Sequence, residues 1–388
     1  MAKRTKKSKL DALLSIEQSE KELQEEIERR EGFREKDKFS FEMSPRELYD
    51  ALSKSVIGQE EAKQKIANAV CYHYANIANN GHGRRHSHKN NVLLIGPTGC
   101  GKTYLVQKVA QAVDVPLLIS DATRFSGTGY VGENVDSLIQ DLVMKANGNL
   151  NAASRGIIYL DEIDKIAARD TCGRDVSGRD VQAGLLKIVD GGSEIKVAVP
   201  GGERMVKTDD ILFIGGGTFS DLYKQLRDVS TADPYRKTEF DNGEFLYATD
   251  TPQLLKALQK YGMLPELLGR IPVIARLKSL TQGDLRRILT DSDESVLRQY
   301  EKDFAAYGIG VSFDDSAYDA ISERAYQRNM GARGLGAVVE ESLSLLKFHL
   351  PGTEIEKLDV TAETIQNPLE TTLNLIQEHK KRLGGAKE

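Results

Sequence analysis

The eight residues Gly96-Pro97-Thr98-Gly99-Cys100-Gly101-Lys102-Thr103 leave this chain few folds to choose from. Before them runs the apolar segment 91–95, Asn-Val-Leu-Leu-Ile. After them Leu105, Val106, Val109, Ala110 and Val113 recur at three- and four-residue steps. The pattern predicts a buried strand, a glycine-rich turn and a helix, the context in which G-x-x-x-x-G-K-T binds phosphate. Behind Pro97, the residues Thr98, Gly99, Cys100 and Gly101 can curl their N–H groups around phosphate oxygens, and the helix N-terminus adds its positive end. Lys102 can reach the β- and γ-phosphates, and the Thr103 hydroxyl can take a place on Mg²⁺. The expected ligands are ATP and Mg²⁺.

A chain of 388 residues is too long for one core, so two or more domains are expected. A hydrophobic share of 40% and a net charge of −5 suit a soluble protein and give no reason to expect nucleic acid. No apolar run reaches the length of a membrane span. The basic N-terminus leads into Leu10-Asp11-Ala12-Leu13-Leu14, too short and interrupted for a signal peptide. Cys71, Cys100 and Cys172 are scattered, which points to a reducing cytoplasm without a disulfide frame or a thiolate zinc site.

In chain order, residues 1–43 read as a charged, partly helical extension. Ser44-Pro45-Arg46-Glu47 is a helix start with a capping box, and a second helix is expected over 59–77. The polar loop 79–91 carries His82, His86 and His88; with His73 they make a weak metal set, since no Cys or acid accompanies them. Further strands are expected at 116–120, 156–160, 195–199, 211–214 and 273–277, with helices at 135–146 and 181–189. The strand at 156–160 is apolar throughout and ends in Asp161-Glu162. Two carboxylates at the C-terminal end of a central parallel strand lie where open α/β sheets bind ligands. Asp161 can hold Mg²⁺ and Glu162 can polarise the water that attacks the γ-phosphate. Residues 227–250 are a long polar stretch. From Thr281 onward helical spacing dominates, and 364–388 reads as a polar helical tail with Leu369, Leu373 and Ile376 on one side. The expected fold is α/β: a large domain over 44–278 with a parallel sheet flanked by helices, a smaller mainly α-helical domain over 279–362, and a tail over 363–388.

Taken together, the phosphate loop, the Asp-Glu strand end, a fourth strand with a polar tip, a Gly-Arg pair and Gly331-Ala332-Arg333 resemble the AAA+ ATPases, specifically the ClpX/HslU branch of protein unfoldases, over residues 44–362. The resemblance implies several roles. Val56 and Ile57, in Ser55-Val56-Ile57-Gly58-Gln59, lie in a segment similar to the one that contacts adenine. The stretch Tyr159 to Ile166 resembles Walker B. Gly129-Tyr130-Val131-Gly132 looks like the first pore loop, and Asp175-Val176-Ser177-Gly178 with Val181-Gln182 like the second and its helix. Arg270 looks like the arginine finger and Arg333 like sensor 2. A hexameric homo-oligomer threading polypeptide substrates past Tyr130 and Val131 is thereby implied.

Several departures accompany the resemblance. The cysteines of the ClpX zinc-binding N-terminal domain are missing, and residues 227–250 hold no Ile-Gly-Phe tripeptide of the kind with which ClpX docks its peptidase. The C-terminus is charged where that of HslU is apolar, and Gly336 stands where ClpX usually has an arginine. The sequence thus suggests an unfoldase that does without the usual peptidase, with residues 9–30 or 364–388 left to contact an adaptor or partner. The alternatives are the unfoldase subunit of a protease with a divergent peptidase, a superfamily motor on nucleic-acid complexes, and a scaffold that hydrolyses little.

Overall fold

The computed structural model describes residues 39–79, 89–125, 133–168, 176–222, 251–292 and 294–385. Tyr130 and Val131, the three loop histidines, the N-terminal extension up to residue 38 and residues 227–250 lie outside them.

Helix α1 (Pro45–Ser53) starts as its sequence dictates. The Glu47 amide donates to Ser44 Oγ, and the Ser44 amide donates back to the Glu47 carboxylate at 2.7 Å. Helix α2 is Glu60–Asn79. Strand β1 (Val92–Ile95) is buried at every residue and feeds the phosphate loop, from which α3 (Lys102–Val113) departs. There follow β2 (Leu117–Asp121), α4 (Ser137–Lys145), the single turn α5 (Leu150–Ala153) and β3 (Ile157–Asp161), which a 3₁₀ turn, Ile163–Ile166, continues. Next come α6 (Val176–Asp190), a hairpin of β4 (Glu194–Val199) and β5 (Gly202–Lys207), and β6 (Leu212–Gly217). Helices α7 (Thr251–Tyr261) and α8 (Pro265–Gly269) lead to β7 (Val273–Arg276). The rest is α9 (Gln282–Thr290), α10 (Val296–Ala305), β8 (Gly310–Phe313), α11 (Asp315–Gln327), α12 (Arg333–His349), β9 (Lys357–Val360), α13 (Ala362–Gln366) and α14 (Pro368–Gly385).

Among the described residues the main sheet has five parallel strands in the order β2-β3-β6-β1-β7. The central β1, β3 and β6 are apolar runs buried on both faces, whereas the edge strand β2 alternates. The chain leaves β1 and crosses over to β2 at the far edge. The order therefore reverses beside β1, and the C-terminal ends of β1 and β3 open onto the crevice. One hydrophobic cluster packs on this sheet, including Leu138, Leu142, Leu185 and Ile188 of the flanking helices. Another, around Phe304, Ile321, Val339 and Leu346, holds the C-terminal helices together. Thr372 of α14 is buried and Leu375 packs on that second cluster, while Leu369 and Leu373 face outward. No described helix is long and apolar enough to cross a membrane.

Several elements go beyond the sequence reading. The fourth core strand does not stop at Ile214 but runs through Gly215-Gly216-Gly217. These glycines are clearances. A β-carbon on Gly216 would collide with the Tyr159 hydroxyl, and one on Gly217 would come within 2.8 Å of the Asp164 carboxylate. Strand β5 pairs antiparallel with β4 through a turn at Gly201 and Gly202, both with positive φ. Helix α7 buries Leu254, Ala257 and Leu258 at helical spacing. Finally, β8 and β9 form a small parallel pair among the C-terminal helices.

Phe39, Phe41 and Tyr74 form an aromatic trio with ring centroids 5.6–6.5 Å apart. The other compact unit is Met43–His73 with His88–Glu388.

There His73 is buried, and its Nε2–H donates to the Asp210 carbonyl at 2.9 Å, so that nitrogen is committed to the backbone. Burial lowers its pKa from 6.5 to about 4. The unfolded chain therefore binds one more proton than the folded one between those values. Stability should be full above pH 6.5 and fall by at most about 3 kcal/mol as the pH drops toward 4. Urea unfolding of the wild type and of His73→Gln across pH 4–7 checks this: the variant should lose that part of the slope.

Candidate active site

The phosphate loop takes its shape from its glycines and its lysine. Gly99 and Gly101 take positive φ, and the Lys102 ammonium folds back to donate to the carbonyls of Gly96 at 2.7 Å and Pro97 at 3.0 Å. Thr103, in the first turn of α3, donates its hydroxyl hydrogen to Asp161 Oδ2 at 3.0 Å. That contact joins the loop to the end of β3 and sets a hydroxyl and a carboxylate side by side, hard oxygens of the kind Mg²⁺ takes. Beside them Glu162 is exposed and has left-handed backbone, φ +55° and ψ +33°, which a glutamate rarely adopts. Its amide donates to Asp161 Oδ1 at 2.9 Å. Burial raises the Cys100 thiol, so this cysteine behaves as loop packing rather than as a nucleophile.

These residues line a cleft of about 620 Å³. Its lining is part apolar, with Val56, Ile57, Leu280, Ile288 and Leu335, and part polar, with the loop, Asp161, Glu162, Thr218 and Arg333, the first residue of α12. The arrangement can take a flat base against the apolar part and a phosphate chain along the loop. Pro97 is not in the lining and serves the loop through its carbonyl.

The C-terminal helices are seamed to the loop backbone. The Ala332 amide donates to the Gly99 carbonyl at 2.9 Å. A β-carbon on Gly99 would collide with the Met330 carbonyl, and one on Gly331 would come within 2.5 Å of the Gly99 carbonyl. Lys108 of α3 pairs with Glu294 just before α10.

Arg270 stands elsewhere. It follows α8, is half exposed, and its Nε lies 3.1 Å from Asp190 at the end of α6. An ion pair that open to water is worth about 0–1 kcal/mol, so the guanidinium can exchange partners.

Comparison with known proteins supplies the family. Residues 87–274 match the AAA domain (Cdc48 subfamily), and residues 280–345 match the C-terminal, D2-small domain, of ClpB protein. The ATP-dependent Clp protease ATP-binding subunit ClpX of Borrelia duttonii (strain Ly) is 39% identical over 347 residues, covering 84% of this chain and 79% of that protein. The subunit of the same name from Borrelia recurrentis (strain A1) matches equally.

The chain is a ClpX-like AAA+ ATPase. It binds nucleotide and hydrolyses ATP, as its family does.

In this ClpX-like ATPase the structure gathers Val56, Ile57, Thr98 through Thr103, Asp161, Glu162 and Arg333 at one cleft, and leaves Arg270 outside it. Sequence reading passed over several neighbours. Asp164 is buried and accepts from the Thr218 amide at 3.3 Å, the Thr218 hydroxyl at 3.1 Å and the Phe219 amide at 3.3 Å, so it aims the tip of β6. The Gln59 amide group spans the carbonyls of Cys100 and Lys278 and accepts from the Lys278 amide. Asp164 lies inside the stretch that resembles Walker B and Gln59 inside the 55–59 segment, but the role of each shows only with its distant partners, Thr218 for Asp164 and Lys278 for Gln59.

Proposed function

We propose that this chain is a ring-forming, ATP-driven protein unfoldase or translocase. The observation that carries the reading is the split site: a complete nucleotide cleft with Arg270 outside it, exposed on a loosely held pair. An arginine so placed can serve the γ-phosphate of a neighbouring copy, which favours a closed ring, hexameric as in this family.

In this reading Lys102 holds the β- and γ-phosphates, Glu162 takes the proton of the attacking water, and Arg333 answers the phosphates from α12. Thr103 and Asp161 would hold Mg²⁺, and their hydroxyl–carboxylate pair fits the ion. When bound, it would neutralise charge on the phosphate oxygens. The chain divides into an extension (1–43), a large ATPase domain (44–278), a small domain (279–362) and a tail (363–388). Loss of the γ-phosphate alters the angle between the large and small domains, and the seam at Gly99 and Ala332 gives that change a direct path.

Tyr130 and Val131 would grip the polypeptide. Tyr130→Ala should keep ATP hydrolysis and slow the unfolding of a tagged fluorescent protein at least ~10-fold, because an apolar anchor is lost. Unchanged unfolding would refute the pore role. ATPase activity stimulated by nucleic acid, without unfolding, would favour the motor on nucleic-acid complexes instead. The relatives are named as protease subunits. For this chain we propose that neither residues 227–250 nor the tail docks a ClpX- or HslU-type peptidase. Added ClpP- or HslV-type peptidase should leave casein intact, whereas ATP-dependent degradation lost on deleting residues 230–246 would reverse that.

A further inference from the structure

We infer that Gln182 and Asn91 are positioning residues for Arg270: two buried amide side chains that lock the short helix α8 to the subunit's own sheet. The inference rests on the reading of Arg270 as a finger acting on a neighbour.

A helix of five residues, Pro265–Gly269, has almost no stability of its own. Its N-cap, Leu264, offers no side-chain cap. Whatever fixes Arg270 must come from outside α8, and it comes from both ends. At the leading end Gln182 of α6 is fully buried. Its Oε1 accepts from the Leu264 amide at 2.8 Å, and its Nε2 donates to the carbonyls of Ile166 at 2.8 Å and Gly262 at 3.1 Å. Gly262 is pinned again, its carbonyl accepting from the Ala168 amide at 2.9 Å. At the trailing end Asn91 is also buried. Its Nδ2 donates to the carbonyls of Arg270 at 2.8 Å and Val189 at 2.9 Å, and its Oδ1 accepts from the Phe213 amide at 3.1 Å.

Neither amide has a polar atom to spare: Gln182 ties the backbone at Ile166 to that at Gly262 and Leu264, and Asn91 ties Val189, Phe213 and Arg270. A fully satisfied buried amide selects one arrangement, because any slip strands a donor or acceptor away from water. The segments joined are the informative part. Ile166 ends the 3₁₀ turn that follows Asp161-Glu162. Asn91 precedes β1, which ends at the phosphate loop. The same α6 that carries Gln182 ends in Asp190, the guanidinium's partner. The position of the finger a subunit offers its neighbour is thus set by that subunit's own cleft.

The test uses Gln182→Glu and Asn91→Asp, which keep shape and lose donors, with Gln182→Met and Asn91→Leu as apolar replacements. Turnover is expressed per nucleotide-binding site, titrated with a fluorescent ADP, so unfolded protein drops out. At least one variant of each pair should lose kcat ~10–100-fold while KM for ATP stays within ~2-fold, as misplacing a remote group does. Mixing with Glu162→Gln protein should restore activity, because the mixture joins an intact Glu162 to a correctly placed Arg270. A merely structural defect would not be rescued. The inference is overturned if all four keep wild-type kcat, if nucleotide binding is lost along with turnover, or if mixing restores nothing. Arg270→Ala runs beside them. Full hydrolysis by Arg270→Ala removes the finger reading and the inference with it. Loss by Arg270→Ala with none by the amide variants overturns the positioning role alone.

Discussion

Glu162→Gln is expected to keep nucleotide bound and to lose at least ~100-fold in turnover, the usual contribution of a positioned base. The amide keeps the carboxylate's length and shape, so the cleft should still take ATP, but it cannot accept the proton of the attacking water. The backbone sharpens the test. Glu162 has φ +55°, a conformation that costs an ordinary side chain about 1 kcal/mol. Gln carries the same strain, so its melting temperature should match the wild type. Asn tolerates the left-handed region better. Glu162→Asn should therefore melt higher while being equally inactive. A Glu162→Gln protein that hydrolyses ATP at the wild-type rate would remove Glu162 from the role of base.

Gly99→Val should have the second largest effect, at least ~100-fold weaker nucleotide binding from a displaced loop, with a lowered melting temperature. Two costs act together. At φ +75° a β-branched residue is a steric outlier, and its β-carbon collides with the Met330 carbonyl. The loop can relax only by leaving its shape or by releasing the amide of Ala332, so either the cleft or the seam fails. Gly101→Ala is the contrasting substitution. Its φ is also positive, but a β-carbon there meets nothing within 4 Å, so the damage should be milder. Equal effects from the two would show that left-handed backbone alone, not contact with the C-terminal helices, makes Gly99 matter. Binding is read with a fluorescent nucleotide and stability by calorimetry.

The parts legible in the sequence are those with local causes. The strand, loop and helix around Lys102 announce themselves within 25 residues, and the capping box at Ser44 needs only four. The apolar run ending in Asp161-Glu162 placed both carboxylates at the mouth of the sheet. What escaped depends on distant partners. The glycines of β6 show their purpose, clearance for Tyr159 and Asp164, only once β3 lies alongside. Strands β8 and β9 are short and pair across about forty intervening residues that hold two helices. Helix α7 has helical spacing, but it directly follows a long polar stretch. Gln182 and Asn91 look like ordinary polar residues until the segments they clasp are brought together.

The strand order has a consequence for the making of the protein. Strand β1 is wholly apolar and emerges early, yet it pairs only with β6 and β7, whose matching residues follow about 120 and 180 positions later. At ~5–20 residues per second, the ribosome needs about 10 to 40 s to deliver them. Until β6 emerges Val92-Leu93-Leu94-Ile95 has no neighbour strand, and until β7 follows one of its edges stays open. A nascent chain of this protein lacks the sheet under its phosphate loop until both partners have left the exit tunnel, and it needs shelter for one bare strand until the first of them does.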